Sequence, residues 1–154
     1  MGVEIERKFL VRGDGWRAGA EGRVYRQGYL AADAERTVRV RVADAKGYLT
    51  VKGKTEGLAR AEYEYEIPVA DASELLDLLC SKPLIEKTRY RVEQRGHLWE
   101  IDEFAGENHG LLLAEVELSE PAEVVDLPDW VGQEVSSDPR YYNANLARHP
   151  YGRW

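Results

Sequence analysis

The chain has 154 residues, 44% hydrophobic and 32% charged, with a formal charge of −7. This suits one soluble domain over residues 1–154 with a real core, argues against non-specific nucleic-acid binding, and leaves no apolar run near the roughly 20 residues that cross a bilayer. A lone cysteine, Cys80, excludes an internal disulfide or a cysteine-rich metal site, and the opening MGVEIERKFL lacks the basic and apolar regions of a signal peptide, so a cytoplasmic protein is expected.

VEIERKFLV (3–11) alternates as a strand, with Glu4, Glu6 and Lys8 on one face and Val3, Ile5, Phe9 and Val11 on the other, interrupted by Arg7. VYRQGYL (24–30) follows, then RTVRVRV (36–42), in which Thr37, Arg39 and Arg41 alternate with valines. Across a turn at 44–47, YLTVKGK (48–54) sets Thr50, Lys52 and Lys54 on one face, and AEYEYEIPV (61–69) alternates Glu62, Glu64 and Glu66 with Tyr63, Tyr65 and Ile67. DASELLDLLC changes period: Leu75, Leu76, Leu78 and Leu79 form a helical stripe, with Asp71 or Ser73 as N-cap and Lys82-Pro83 as the stop. Strands resume with IEKTRYRVE (85–93), HLWEIDEF (97–104) after an Arg95-Gly96 turn, and LLLAEVELS (111–119). A tail rich in Pro, Asp and Trp predicts one short helix packed back on the domain.

Eight strands joined mostly by short turns predict an antiparallel sheet with few helices. Nearly every strand adds to one charged face: cations at Lys8, Arg39, Arg41, Lys52, Lys54, Lys87, Arg89 and Arg91, and carboxylates at Glu4, Glu6, Glu62, Glu64, Glu66, Glu100, Asp102, Glu115 and Glu117. Such a face can be merely solvated, with cross-strand pairs each worth about 0.2–1 kcal/mol. The opposite face is rich enough in Val, Ile, Leu and Tyr to pack outward, and a barrel can close around a charged lumen. Turned inward, so many cations call for a multiply charged anion; arginine forks and lysine point charges suit phosphate. Carboxylates in the same cavity would repel that anion unless Mg²⁺ or Mn²⁺ bridges them. The Glu-x-Glu pairs Glu4/Glu6 and Glu115/Glu117, about 7 Å apart on one strand face, can serve such a cation.

The Glu4-x-Glu6-x-Lys8 signature in EIERKFLV resembles that of the CYTH family, the triphosphate tunnel metalloenzymes. The resemblance runs in order through RVRV, TVKGK, EYEYEI, EKTRY, IDEFAG, LLLAEVEL and RYYNANLA, covering essentially the whole chain. It implies an eight-stranded antiparallel closed β-barrel, of α+β class with a few flanking helices, that holds a triphosphate in its tunnel. By the same resemblance Glu4, Glu6, Asp102, Glu115 and Glu117 are metal ligands for Mg²⁺ or Mn²⁺, and Lys8, Arg39, Arg41, Lys52, Lys54 and Arg89 clamp substrate. Lys87 and Tyr29 correspond to the pair that positions or activates the attacking water. Tyr29 also reads as an ordinary wall tyrosine, and Glu62, Glu64 and Glu66 as charge balance.

His97, His109 and His149 lack zinc-binding spacing, Walker-type loops are absent, and Trp16, Trp99, Trp130 and Trp154 read as packing or surface residues. Turns are brief and no purine-reading insert is present, and the EIERKFLV opening and RYYNANLA ending most resemble the compact bacterial members of the family, which implies inorganic triphosphate, split to pyrophosphate and phosphate, as a small-molecule substrate. A class IV-type adenylate cyclase, a thiamine triphosphatase and a non-catalytic polyphosphate-binding domain are the alternatives. Apolar outer faces with few helices to cover them suggest a homodimer.

Overall fold

The alternating segments form a closed antiparallel barrel. In the computed structural model, which describes residues 2–154, the strands are β1 (Gly2–Val11), β2 (Gly22–Ala32), β3 (Arg36–Ala43), β4 (Lys46–Gly53), β5 (Ala59–Ile67), β6 (Ile85–Gln94), β7 (His97–Phe104), β8 (Leu112–Glu117) and β9 (Val131–Glu134). Neighbours run β5-β4-β3-β2-β6-β7-β8-β1, and pairing of β1 with β5 closes the ring of eight. Closure removes the free edges that an open sheet of this length would expose. All eight expected strands are present, and β9 is an addition. Its four residues, VGQE, are too few to carry a readable alternation. It takes over the edge of β1 that β5 leaves: the Glu6 N–H bonds the Leu58 carbonyl, and two residues on the Lys8 carbonyl accepts from the N–H of Val135.

Tight turns set the register. Asp44 and Ala45 join β3 to β4 with φ of 53° and 61°, and Arg95 and Gly96 join β6 to β7 with φ of 51° and 80°. Two successive positive-φ residues match the right-handed twist of the flanking strands. Between β5 and β6, helix α1 (Val69–Leu78) begins directly after Pro68 and has no side-chain cap, so neither Asp71 nor Ser73 caps it; Asp71 lies in its first turn. The helix buries Ala72 and Leu76 on Val40, with Cys80 in the same cluster. Leu78 and Leu79, expected on the buried stripe, are 77% and 67% exposed. The close approach depends on Gly47, where an added Cβ would lie 2.7 Å from that of Ala72.

Two further clusters shape the lumen. Outside β6, β7, β8 and β1, Phe9, Val92, Trp99, Ile101 and Val116 pack under Trp16, Leu118 and Trp130 from the connecting segments. Trp99 is fully buried between Phe9 and Trp130 in edge-on contacts, a packing role. Tyr29, Ile85, Phe104 and Leu113 join Leu111, Val135, Tyr141, Leu146 and Ala147, which brings the C-terminal segment onto the barrel. That segment contains helix α2 (Asn143–Arg148), the expected short helix, flanked by single 3₁₀ turns at Pro139–Tyr141 and Tyr151–Arg153. Among the described residues no helix is long and apolar enough to cross a membrane.

Candidate active site

Strand alternation sends every second side chain of the ring inward. The lumen contains a cavity of about 230 Å³ lined by seven cations and seven carboxylates. The cations are Lys8, Arg39, Arg41, Lys52, Arg60, Lys87 and Arg89; the carboxylates are Glu4, Glu6, Glu62, Glu64, Glu100, Glu115 and Glu117. The sequence-expected residues Glu4, Glu6, Lys8, Tyr29, Arg39, Arg41, Lys52, Lys87, Arg89, Glu115 and Glu117 all meet there.

Two expected residues do not line it. Lys54 is exposed, because β4 ends at Gly53 and the alternation that carries Lys52 inward stops before reaching it. Asp102 is 1% exposed and used as a counter-ion: Oδ1 accepts from Arg89 Nε at 2.7 Å, while Oδ2 meets Arg89 Nη2 at 2.9 Å and Lys87 Nζ at 2.8 Å. Its two cations hold the carboxyl far below the usual range despite burial, which pushes the other way. Arg60, absent from the expected set, enters because β5 starts at Ala59 and continues the parity of Glu62 and Glu64 upstream. Its guanidinium donates to the Gly53 carbonyl at 2.7 Å and to Thr37 Oγ1 at 3.3 Å. Reading the alternation two residues further back from Glu62 would have found it. Ser136, Tyr142 and Asn143 also line the cavity, brought by the C-terminal segment, and nothing in local periodicity marks them.

The cations are crowded on β2's neighbours β3 and β6. Burial, reinforced by Arg39 and Arg89, pulls Arg41 down to about 9. Burial also lowers Lys87 to about 7; Asp102 opposes the shift, while Arg89 and Arg41 reinforce it. Tyr25 lies against both Arg41 and Arg89, with ring centroids 4.9 and 5.0 Å from the guanidinium carbons. Arg39 is 7% exposed and its Nη2 meets Thr50 Oγ1 at 3.1 Å and Glu64 Oε2 at 3.4 Å, yet its Nε has no partner among the described residues. A buried donor without a partner beside cations whose pKa is lowered is the kind of arrangement that an anion would satisfy.

The carboxylates sit mainly on β1, β5, β7 and β8. Glu6 faces Glu117 across β1 and β8, and Glu100 faces Glu115 across β7 and β8. Like charges directly opposite are destabilising, so a purely structural face would avoid both pairs. Lys52 relieves Glu4 at 3.1 Å and Glu62 at 3.3 Å, and Lys8 lies 3.7 Å from Glu115. Burial is outweighed at Glu115 by Lys8 and Arg89, which hold it near 2. Glu6 is left over: burial, then Glu115 and Glu4, push it well above the carboxylate range, and it has no ion pair among the described residues. An oxygen-only donor set in which Glu6 and Glu117 have no ion pair among the described residues fits a hard divalent cation. As the side chains are arranged, no three described acids already converge as a coordination cluster; Glu4 is turned to Lys52 and Glu115 to Lys8.

The class that fold and lining define is a closed eight-stranded barrel with a lumen of cations and carboxylates. The CYTH domain family profile matches residues 2–151, so the chain belongs to the CYTH family. It is 56% identical over 151 residues to an inorganic triphosphatase of Acetivibrio thermocellus, covering 98% of this chain and 97% of that protein. With an inorganic triphosphatase of Nitrosomonas europaea it shares 40% identity over 153 residues, covering 94% and 97%. The crystal structure of the inorganic triphosphatase NE1496 superposes with a TM-score of 0.66 at 36% identity, covering 93% and 96% of the two chains. The PH1012 protein of Pyrococcus horikoshii, 23% identical, shares the fold with a TM-score of 0.58 over 77% and 80%.

Proposed function

We propose that this chain hydrolyses inorganic triphosphate to pyrophosphate and phosphate in its lumen, with a divalent cation, Mg²⁺ or Mn²⁺. The observation that carries the reading is one cavity lined by seven cations and seven carboxylates in which, among the described residues, Glu6 and Glu117 have no ion pair and the buried Arg39 Nε has no hydrogen-bond partner; the named activity of the two curated relatives supports it. Glu4, Glu6, Glu115 and Glu117 would hold the cation, with Asp102 acting from behind as the counter-ion of Arg89 and Lys87. When bound, the cation neutralises charge on phosphate oxygens and on the leaving group.

Arg39, Arg41, Arg89, Lys8, Lys52 and Arg60 clamp the remaining oxygens, Arg39 through the Nε that lacks a partner among the described residues. Lys87 and Tyr29, which both line the cavity, orient a water toward the terminal phosphorus. The water's oxygen forms a bond to that phosphorus, the bridging P–O bond breaks, pyrophosphate leaves with the electron pair, and the water's proton passes to the Lys87 amine. Most of the barrier is lowered by placement and electrostatics, as phosphoryl transfer requires. The substrate is a small molecule in the cytoplasm, and a homodimer covers the exposed outer face around Tyr63 and Tyr65. The test is a pair of variants. Lys87→Ala should lower kcat roughly 100-fold or more with little change in KM. Arg39→Ala should raise KM about tenfold or more, the value of a charge-assisted hydrogen bond. A pure KM effect at Lys87 would make it a clamp residue, and an unchanged KM at Arg39 would remove it from the clamp.

A further inference from the structure

Along the lumen wall, four polar side chains from four elements form one hydrogen-bonded chain in which Arg41, Lys87 and Asn143 line the cavity. Arg41 Nε donates to Gln27 Oε1 at 2.9 Å, Gln27 Nε2 donates to Asn143 Oδ1 at 3.1 Å, and Lys87 Nζ donates to the same Oδ1 at 2.9 Å. The sense of the chain is forced. A guanidinium can only donate, so Gln27 must present its oxygen to Arg41 and its amide nitrogen to Asn143, which fixes the Asn143 oxygen toward both donors. Gln27 is fully buried, and Asn143 is the first residue of α2. Lys87 is held from two sides, by Asn143 at 2.9 Å and by Asp102 at 2.8 Å. An amine nitrogen has four tetrahedral directions. With Cε and two fixed acceptors using three, a single direction remains for water or substrate.

We infer that Asn143 and Gln27 are positioning residues: Asn143, locked by Gln27, aims the free direction of the Lys87 amine, and Gln27 ties that aim to the Arg41 clamp. The inference rests on the hydrolysis reading and on Lys87 as the water-handling group. It assigns a task to the C-terminal segment, which completes the site from outside the ring of strands. Misdirecting a group by a fraction of an ångström is costly in rate while leaving ground-state binding nearly intact.

The experiment measures kcat and KM for inorganic triphosphate in the wild type, Asn143→Leu, Asn143→Asp, Lys87→Ala and the Lys87→Ala/Asn143→Leu double variant, with thermal denaturation of each. Asn143→Leu, similar in volume but without the acceptor, should lower kcat at least tenfold with KM within about threefold. Asn143→Asp keeps the oxygen and should recover most of kcat, with a raised KM because a new carboxylate faces the anion. In the Lys87→Ala background the Asn143→Leu loss should shrink to less than threefold, the non-additivity expected when one residue acts through another. Equal tenfold losses in both backgrounds, or equal kcat losses from Leu and Asp, would show a merely structural role and overturn the inference. An unaffected kcat in Asn143→Leu would overturn it while hydrolysis stands. A wild type that releases no phosphate, or a Lys87→Ala variant with full kcat, would overturn the functional reading and this inference with it.

Discussion

Asp102 shows how far a residue's type and spacing can be read and where they stop. Its inward parity on β7 follows from Trp99 and Ile101 facing out, but its use depends on Arg89 and Lys87, which β6 places directly alongside. A fully buried anion between two cations has its worth in not leaving them bare. Asp102→Ala is therefore expected to cost about 3–5 kcal/mol, a fall in Tm of roughly 10 °C for a chain of this size. Differential scanning calorimetry decides this, and a Tm within about 2 °C of wild type would return Asp102 to a ligand role only. Glu6 stands in the opposite situation. Its carboxyl faces Glu117 with no ion pair among the described residues, so Glu6→Gln should abolish turnover while leaving Tm unchanged or raised. A loss of several degrees together with retained turnover contradicts that assignment.

At the scale of elements, alternation located all eight barrel strands, since nearly every one keeps one apolar and one charged face and a one-residue slip would exchange them. It misjudged the ends. β4 stops at Gly53 and β5 begins at Ala59, so Lys54 leaves the lumen and Arg60 enters it. Arg60→Ala is accordingly expected to raise KM for inorganic triphosphate about tenfold, and Lys54→Ala to change it less than twofold; the reverse order would mean that the solution register differs. The β3–β4 turn carries a local cost, because Ala45 holds φ of 61° where a side chain is unfavourable. Ala45→Gly should stabilise the protein by about 1 kcal/mol and raise Tm by roughly 2–4 °C, measured by thermal denaturation. The helices were less legible. Pro68, not a polar cap, starts α1, and Leu78 and Leu79 stay exposed although their spacing suits a buried stripe.

For the whole molecule, the decisive property is closure, which no single strand encodes. Only when β1 pairs with both β8 and β5 do Glu4 and Lys52, distant in sequence, come within 3.1 Å, and only then does a charged face become a lumen. Closure was readable through the ordered family resemblance more than through periodicity, which fits a solvated face equally well. The short C-terminal helix packed on the barrel was expected, but its contribution to the site was not readable: Ser136 and Asn143 reach Lys8 and Lys87 across more than fifty residues of chain, a contact that only tertiary packing creates. The exposed outer residues Val3, Val51, Tyr63 and Tyr65 remain the surface to watch for self-association. The central claim is most directly tested by following phosphate release from inorganic triphosphate, ATP and thiamine triphosphate with Mg²⁺, Mn²⁺ or EDTA, with chromatography of the ATP reaction for cyclic AMP. Hydrolysis fastest on inorganic triphosphate, dependent on the metal and abolished by EDTA, is the predicted result. No phosphate release with either metal, or cyclic AMP as the main product from ATP, would contradict it.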